Sequence, residues 1–324
     1  MALPPWHPDS LADRMPFLRR RALLTQATRA FFAGRGYAEV ETAYAVPVPG
    51  EEVHLRAWRT RQHTPDGTGR DLWLHTSPEL AMKRLLVAGA GPIFQLARVW
   101  RDEEGSRRHL GEFTMLEWYR PGARLADLMD ECEALLRATL PPPLAVAFER
   151  ITVAEAFQRW VGADVLATEG DAASLARDAG AELREGEGWE DLFFRLLLER
   201  VEPQLGRERP SFLTHWPASQ AALARRDPAD PRVALRFELF LGGMELANAF
   251  EELTDPAEQA SRFAADRARR EALYGPSWGT DDDFLAALRH GMPAASGIAL
   301  GFDRLAMLAS GATRIEQVLW MPTP

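Results

Sequence analysis

Two groups of residues in this chain have types and spacings suited to chemistry. The first is Arg101-Asp102-Glu103-Glu104-Gly105-Ser106-Arg107-Arg108-His109, a dense ionic run between two apolar stretches. Taken alone it reads as the solvated tip of a hairpin, as most such charge runs are. The stretch that follows argues for more. Period-two alternation in Glu112–Tyr119 puts Phe113, Met115, Glu117 and Tyr119 on one face. A solvated face rarely carries Phe and Met, and a core face rarely carries Glu. The mixture suits a pocket holding a planar ring at one end and a cation at the other. Residue types leave both readings open. The second group is Glu238 and Glu245, placed on facing strands across a Gly242-Gly243 turn. Paired carboxylates suit Mg2+, which keeps several waters and shares phosphate oxygens. Either glutamate alone would read as an ordinary surface residue.

These residues need elements to position them. Leu18–Arg35 has helical apolar spacing (Leu23, Leu24, Ala27, Ala30, Phe31), with Gly34 and Gly36 marking its end. Tyr37–Thr42 reads as a short strand, and Glu51–Trp58 and Asp71–His75 as two strands around a polar loop. Ser77-Pro78-Glu79 opens a helix through Leu86, with Ser77 as N-cap and Pro78 at the first helical position. Ile93–Arg101 and Glu112–Arg120 form a strand pair joined by the charged loop. Leu125–Leu136 is an amphipathic helix in which Cys132 is a half-buried, unreactive thiol. Residues 121–230 hold helical patterns, clearest at Asp191–Val201. Val233–Phe240 and Met244–Phe250 are strands, Ala260–Tyr274 is a charged helix, and the strand Gly297–Leu300 feeds the helix Asp303–Leu308. Strands toward both ends with helices between predict an α+β domain with a mostly antiparallel sheet.

The 324 residues, 46% hydrophobic, suffice for a large core. No long apolar run predicts a membrane span, and Met1–Ser10 does not read as a signal peptide. A single cysteine suits a reducing cytoplasm. The net charge of −9 argues against a broad nucleic-acid footprint. Of the 38 basic residues only Lys83 is lysine; the rest are arginine, so an arginine carries meaning only by its position.

Five ordered segments resemble the class II aminoacyl-tRNA synthetases, in particular their lysine-type subgroup. "FFAGRGYAEVETAYAVP" is similar to motif 1, "RVWRDEEGSRRHLGEFTMLEWYR" to motif 2 and "GIALGFDRLAML" to motif 3. "TSPELAMKRLL" and "FELFLGGMELANAFEELTD" match the lysine subgroup in order and spacing. The resemblance runs from about Leu18 to the C-terminus. It implies one class II catalytic domain over residues 1–324, with residues 1–17 an N-terminal extension and about 121–230 a helical insertion. It also implies a homodimer paired through motif 1.

The chemistry it implies is attack of a carboxylate on the α-phosphate of ATP with Mg2+. That reaction needs cations and fixed donors more than a general base. Arg101 would bridge the carboxylate and the α-phosphate through its bidentate fork. Arg304 would hold the γ-phosphate, and Glu238 and Glu245 the metal. Phe113 would stack on adenine opposite Arg304, with Asp102, Glu103, His109, Leu246 and Gly301 around the nucleotide. Glu252 and Tyr119 match the positions that bind the side-chain ammonium of a lysine-like substrate. Neutral substrates are then rejected because they leave a buried carboxylate unpaired. Ser77, Pro78, Glu79 and Glu117 fall near the substrate amino group, and Asn248 orients it or the carboxylate.

Lysyl-tRNA synthetases carry an N-terminal β-barrel that reads the anticodon. Here motif 1 begins near residue 18, which leaves no room for one. The chain therefore resembles the freestanding paralogues that attach (R)-β-lysine to a lysine of elongation factor P. Ala299, where the synthetases have glycine, and the wording of "EFTMLEWYR" favour that group. A tRNA acceptor is disfavoured. A minimal lysyl-tRNA synthetase, another lysine-activating ligase and a non-enzymatic ligand-binding regulator are the alternatives. Two departures stand out. His109-Leu110-Gly111-Glu112 replaces the usual His-Asn-Pro-Glu, which implies a weaker hold on ATP, and Ala43 replaces the proline after Thr42.

Overall fold

The computed structural model describes residues 3–141, 146–221, 223–276 and 278–322. The first half runs α1 (Pro8–Ala33), β1 (Ala38–Glu39), β2 (Ala45–Val46), β3 (Arg59–His63), β4 (Gly69–Leu74), α2 (Glu79–Val87), β5 (Ile93–Ser106), β6 (His109–Pro121) and α3 (Leu125–Thr139). The second runs β7 (Glu149–Thr152), α4 (Val153–Trp160), α5 (Ala172–Asp178), α6 (Trp189–Leu196), β8 (Ser211–Pro217), β9 (Val233–Leu241), β10 (Met244–Glu251), α7 (Pro256–Tyr274), α8 (Asp282–Gly291), β11 (Ala295–Gly301) and α9 (Phe302–Ser310). The class is α+β with mostly antiparallel strand pairing, as the patterning predicts. No helix among the described residues is long and apolar enough to cross a membrane.

The chain divides into two compact units. One comprises Met1–Ala123, Ala134–Leu144 and Thr254–Pro324. In it β1 lies parallel to β5, and β5, β6 and β11 follow as antiparallel neighbours. β6 is buried on both faces, which is why it reads as mixed rather than amphipathic. Trp118 points toward Phe32 of α1 (centroids 5.2 Å apart), and Phe32 stacks on Phe94 of β5 at 4.7 Å. On the other face Met115 joins Ala97 and Val99, with Phe113 and Ala299 packed against them. α1 begins ten residues earlier than its apolar spacing suggests and runs through Pro16. Proline there removes a hydrogen bond and costs stability. Arg14 ties this end of the helix to the chain termini by donating to the carbonyls of Ser10, Pro5 and Leu319.

The small sheet β2-β4-β3 corrects one expectation. Residues 51–58 do not form the strand that pairs with the Trp73 region; the wholly exposed Arg59–His63 does. The turn sets this register. Asp66 accepts from the Thr68 N–H (3.0 Å), and Gly67 takes φ 85°. Residues 51–58 instead form a mostly surface strap anchored by the buried Glu51, which packs against Arg270, and by the Arg56 carbonyl, which accepts the Asp102 N–H.

The second unit comprises Arg124–Glu133 and Ala145–Leu253. β10, β9 and β8 are antiparallel neighbours and β7 runs parallel to β8. The stretch expected to be a helical insertion therefore contains two strands as well. Its core gathers Ile151, Phe157, Phe193, Leu213, Trp216 and Phe240, with Phe157 and Phe193 stacked at 5.1 Å. A capping box starts α4: Thr152 accepts from the Glu155 N–H, and Glu155 accepts from the Thr152 N–H. The predicted Asp191–Val201 helix starts earlier, at Trp189, and widens into a π-helical turn over Leu197–Val201. Cys132 is fully buried rather than half-buried, and burial holds its thiol well above the ordinary range, so it is inert.

Candidate active site

The strand pair β5–β6 builds the arginine end of the site. Its register is regular from Ile93↔Tyr119 to Trp100↔Glu112, then breaks and resumes at Gly105↔Leu110. The irregular stretch is Arg101–Glu104, so the strand bulges at Arg101. Glu103 takes φ 62°, a left-handed conformation costly for a residue with a Cβ. Arg101 is only loosely held: Nε lies 3.4 Å from the Thr76 carbonyl and Nη1 3.9 Å from Glu104. Its guanidinium lies over the Phe113 ring at 5.3 Å. A cation with long protein contacts beside an aromatic face suits an anion attached to a planar ring.

Around it, Glu103 pairs with Arg56 and His109 Nδ1 shares a hydrogen bond with Ser106 (2.8 Å). Gly111 explains half of the His-Leu-Gly-Glu departure. A Cβ there would meet Trp58 at 2.9 Å and the Arg101 carbonyl at 3.1 Å, so only glycine lets Trp58 pack onto the strand. Arg304 emerges at the start of α9, its aliphatic stem folded back against Gly301.

Sequence reasoning missed what aims that helix. Asp303 is buried, accepts the Thr114 N–H of β6 at 2.9 Å and is ion-paired with Arg21 of α1. Arg21 also donates to the Thr114 hydroxyl (2.9 Å). The signal was present: Arg21 falls on the buried stripe of α1 with Leu18, Leu24, Thr28 and Phe31, where a charge demands a partner.

The N-terminus of α2 and the middle of β6 build the cluster expected from the sequence to be the amine end. The helix begins at Glu79, with Pro78 one place earlier than expected. Ser77 is thus not the N-cap, yet its hydroxyl still accepts the Glu79 N–H (3.0 Å) and donates to Glu117. Tyr119 donates to the other Glu117 oxygen at 3.1 Å, and Lys83 Nζ binds Glu79 Oε1 at 2.5 Å. Glu117 is 0% exposed, and both its oxygens are taken up by these neighbours. Burial, and then the charge of Glu79, push its carboxyl up to about 8; burial likewise raises Glu79. Ala299 of β11 lies opposite Glu117.

In the second unit, β9 and β10 are joined by Gly242 and Gly243, both at positive φ (62° and 68°), as a two-residue hairpin turn requires. Glu245 pairs with Phe240, and Asn248 with Glu238, because a bulge intervenes between Glu245 and Ala247. Three residues apart in a regular strand, Glu245 and Asn248 would face opposite ways. The extra residue, Leu246, restores them to the face that carries Arg236, Glu238 and Phe240. Leu246 itself is buried. Continued alternation aims Glu252, also buried, to the same side; its backbone bridges to Ala224.

The proton affinity of Glu238 is raised to about 8, first by burial and then by the charge of Glu245. Two such carboxylates are the donor set a hard divalent cation satisfies. Among the described residues no cluster of three or more His, Cys, Asp or Glu assembles into a closed metal cage.

Arg236 is a second residue that sequence reasoning missed. It donates to Glu238 (2.5 Å), to Asn248 Oδ1 (3.1 Å) and to the Gln220 carbonyl (2.8 Å), and it lies 4.0 Å over the Trp216 ring. It therefore fixes the rotamers of two predicted site residues at once.

Comparison with known proteins supplies the family. The sequence model of the family described as tRNA synthetases class II (D, K and N) matches residues 12–324. Two curated proteins of Haemophilus influenzae, from strains PittGG and KW20 / Rd, each bear the name elongation factor P–(R)-beta-lysine ligase. Each is 43% identical to this chain over 320 residues, covering 98% of this chain and 97% of the relative.

Proposed function

Because the chain belongs to the class II (D, K and N) tRNA synthetase family, we propose that it activates a lysine analogue, (R)-β-lysine, with ATP and transfers it to a lysine side chain of elongation factor P. The observation that carries this reading is the near full-length 43% identity to two ligases of that name. The loosely held Arg101 beside Phe113 and the buried carboxylates at the amine end support it.

In this reading the Arg101 fork draws the substrate carboxylate toward the α-phosphate while Phe113 carries the adenine ring. Asp102, Glu103, His109, Leu246 and Gly301 surround the nucleotide, and Arg304 holds the γ-phosphate end. Asp303 and Arg21 keep α9 and its arginine in register with β6. Glu238 and Glu245 are the residues that would hold Mg2+, whose charge screens the phosphates when bound. Asn248, held by Arg236, presents its amide to the substrate. Ser77, Pro78, Glu79, Glu117, Tyr119 and Ala299 form the end that takes the amino group, and Glu252 takes the side-chain ammonium. A neutral analogue of the same length would leave these carboxylates without a cation, and that loss provides selectivity. The working form is a homodimer paired through residues 31–47, in the cytoplasm.

ATP–pyrophosphate exchange with α-lysine and both β-lysine enantiomers tests the activation half. Exchange fastest with (R)-β-lysine is expected. No exchange with any of the three would remove the reading.

A further inference from the structure

Lys83 stands out twice. It is the only lysine in a chain whose other basic residues are all arginine, so composition does not account for it. It is also 2% exposed, although lysine is rarely buried unless paired. Helical spacing puts Glu79 and Lys83 on one side of α2, and the ammonium reaches Glu79 Oε1 at 2.5 Å. An ordinary helix-stabilising pair would stay at the surface, where it costs little and either cation serves. Here two charges are taken out of water, which is expensive. A compact ammonium fits where a planar five-donor fork does not.

The neighbourhood gives a reason. Glu79 and Glu117 are both buried and repel each other, Glu52 adds its charge against Glu79, and Lys83 opposes both carboxylates. The Ser77 and Tyr119 hydroxyls are committed to Glu117. The next residue of α2, Arg84, turns instead to Asp281 (2.7 Å). With both carboxylates ionised, as a bound ammonium favours, Glu79 and Glu117 with Lys83 sum to one negative charge, where the carboxylates alone would sum to two.

We infer that Lys83 is a specificity-determining positioning residue. It acts as a built-in counter-ion that cancels one of two buried carboxylates, so that the amine end of the site accepts one ammonium group. The inference rests on the reading of that end given above. Without Lys83 the carboxylate pair would hold a proton to still higher pH, because the cation that opposes protonation is gone. An incoming ammonium would then have to displace that proton, which is harder the lower the pH.

The test uses the full chain and pyrophosphate exchange with (R)-β-lysine and α-lysine between pH 6 and 9. Lys83→Met should raise the amino-acid KM by at least about tenfold at pH 7, one pKa unit's worth. It should leave the KM for ATP alone and move the acid limb of kcat/KM to higher pH. The double variant Lys83→Met, Glu117→Gln restores a single negative charge and should bring KM and the acid limb back toward wild type. A wild-type KM and pH profile in Lys83→Met, or a double variant no better than the single, would overturn the inference. A helix-packing role predicts that second pattern, with the loss appearing in the melting temperature. If Lys83→Met does not fold, the double variant alone decides, by having or lacking a near-wild-type KM and acid limb. A wild-type enzyme that activates neither amino acid would instead bring down the underlying reading, and this inference with it.

Discussion

At the scale of single residues, the site is a set of charges held at different degrees of tightness. Among the described residues Arg101 makes only long contacts, at 3.4 Å and beyond, which leaves it room to tighten on a ligand. Removing it should abolish the donor that the developing charge needs: Arg101→Ala is expected to lower the exchange rate by roughly a hundredfold or more, leaving the melting temperature near wild type. Arg236 is the opposite case, bonded to three oxygens and lying over an indole. Arg236→Ala releases both Glu238 and Asn248. We expect a loss of about ten- to a hundredfold in kcat/KM together with a weaker response to Mg2+. Retention of the wild-type Mg2+ dependence would assign Arg236 to packing alone. Arg101 lies within a displayed motif and was legible there, whereas Arg236 stands one residue before the segment that begins at Phe237 and was not. An arginine two positions before a glutamate on a strand looks like a solvated pair until the burial of β9 is known.

At the scale of elements, bulges and turns matter more than strand content. The β5–β6 break frees Arg101 to leave the ladder, and the Leu246 bulge puts Glu245 and Asn248 on one face. Neither is visible in residue types, because a bulge is a property of pairing and one strand cannot declare it. The Gly242-Gly243 turn was legible, since adjacent glycines between apolar runs point to a tight hairpin. The same reasoning failed at residues 51–58, where alternation of Val53, Leu55 and Ala57 imitates a strand that no partner takes up. Two glycines allow a graded test. Gly243 has open space for a Cβ, so Gly243→Ala bears only the cost of its positive φ, about 1 kcal/mol. At Gly206 the φ is 66° and a Cβ would stand 2.5 Å from the Phe240 backbone carbon. Gly206→Ala should be several-fold more destabilising, and chemical denaturation of the two variants checks the order.

At the scale of the whole molecule, buried carboxylates give stability a definite pH dependence. Glu51, ion-paired with Arg270, has its carboxyl pushed up to about 7 by burial, from an ordinary value of 4.5. Between those values the folded chain holds a proton that the unfolded chain has released, so stability falls as pH rises through that window. Glu51→Gln should flatten that slope by up to roughly 3 kcal/mol across the window, read from thermal melts between pH 4.5 and 7.5. An unchanged slope would show that the strap over residues 51–58 is not what titrates. The homodimer is a proposal at this scale too; sedimentation should give twice the chain mass of 36.2 kDa. So is the reading of residues 1–324 as one catalytic domain, for which a single calorimetric transition is expected.

The acceptor remains the defining feature, since activation of a lysine-like amino acid is shared by relatives that charge tRNA. The decisive measurement offers both acceptors together. The purified chain is incubated with ATP, Mg2+ and labelled (R)-β-lysine in the presence of elongation factor P and tRNA, and the label is followed to its product. Label on a lysine side chain of elongation factor P, with tRNA unlabelled, is the expected result. Label on tRNA alone would contradict the account.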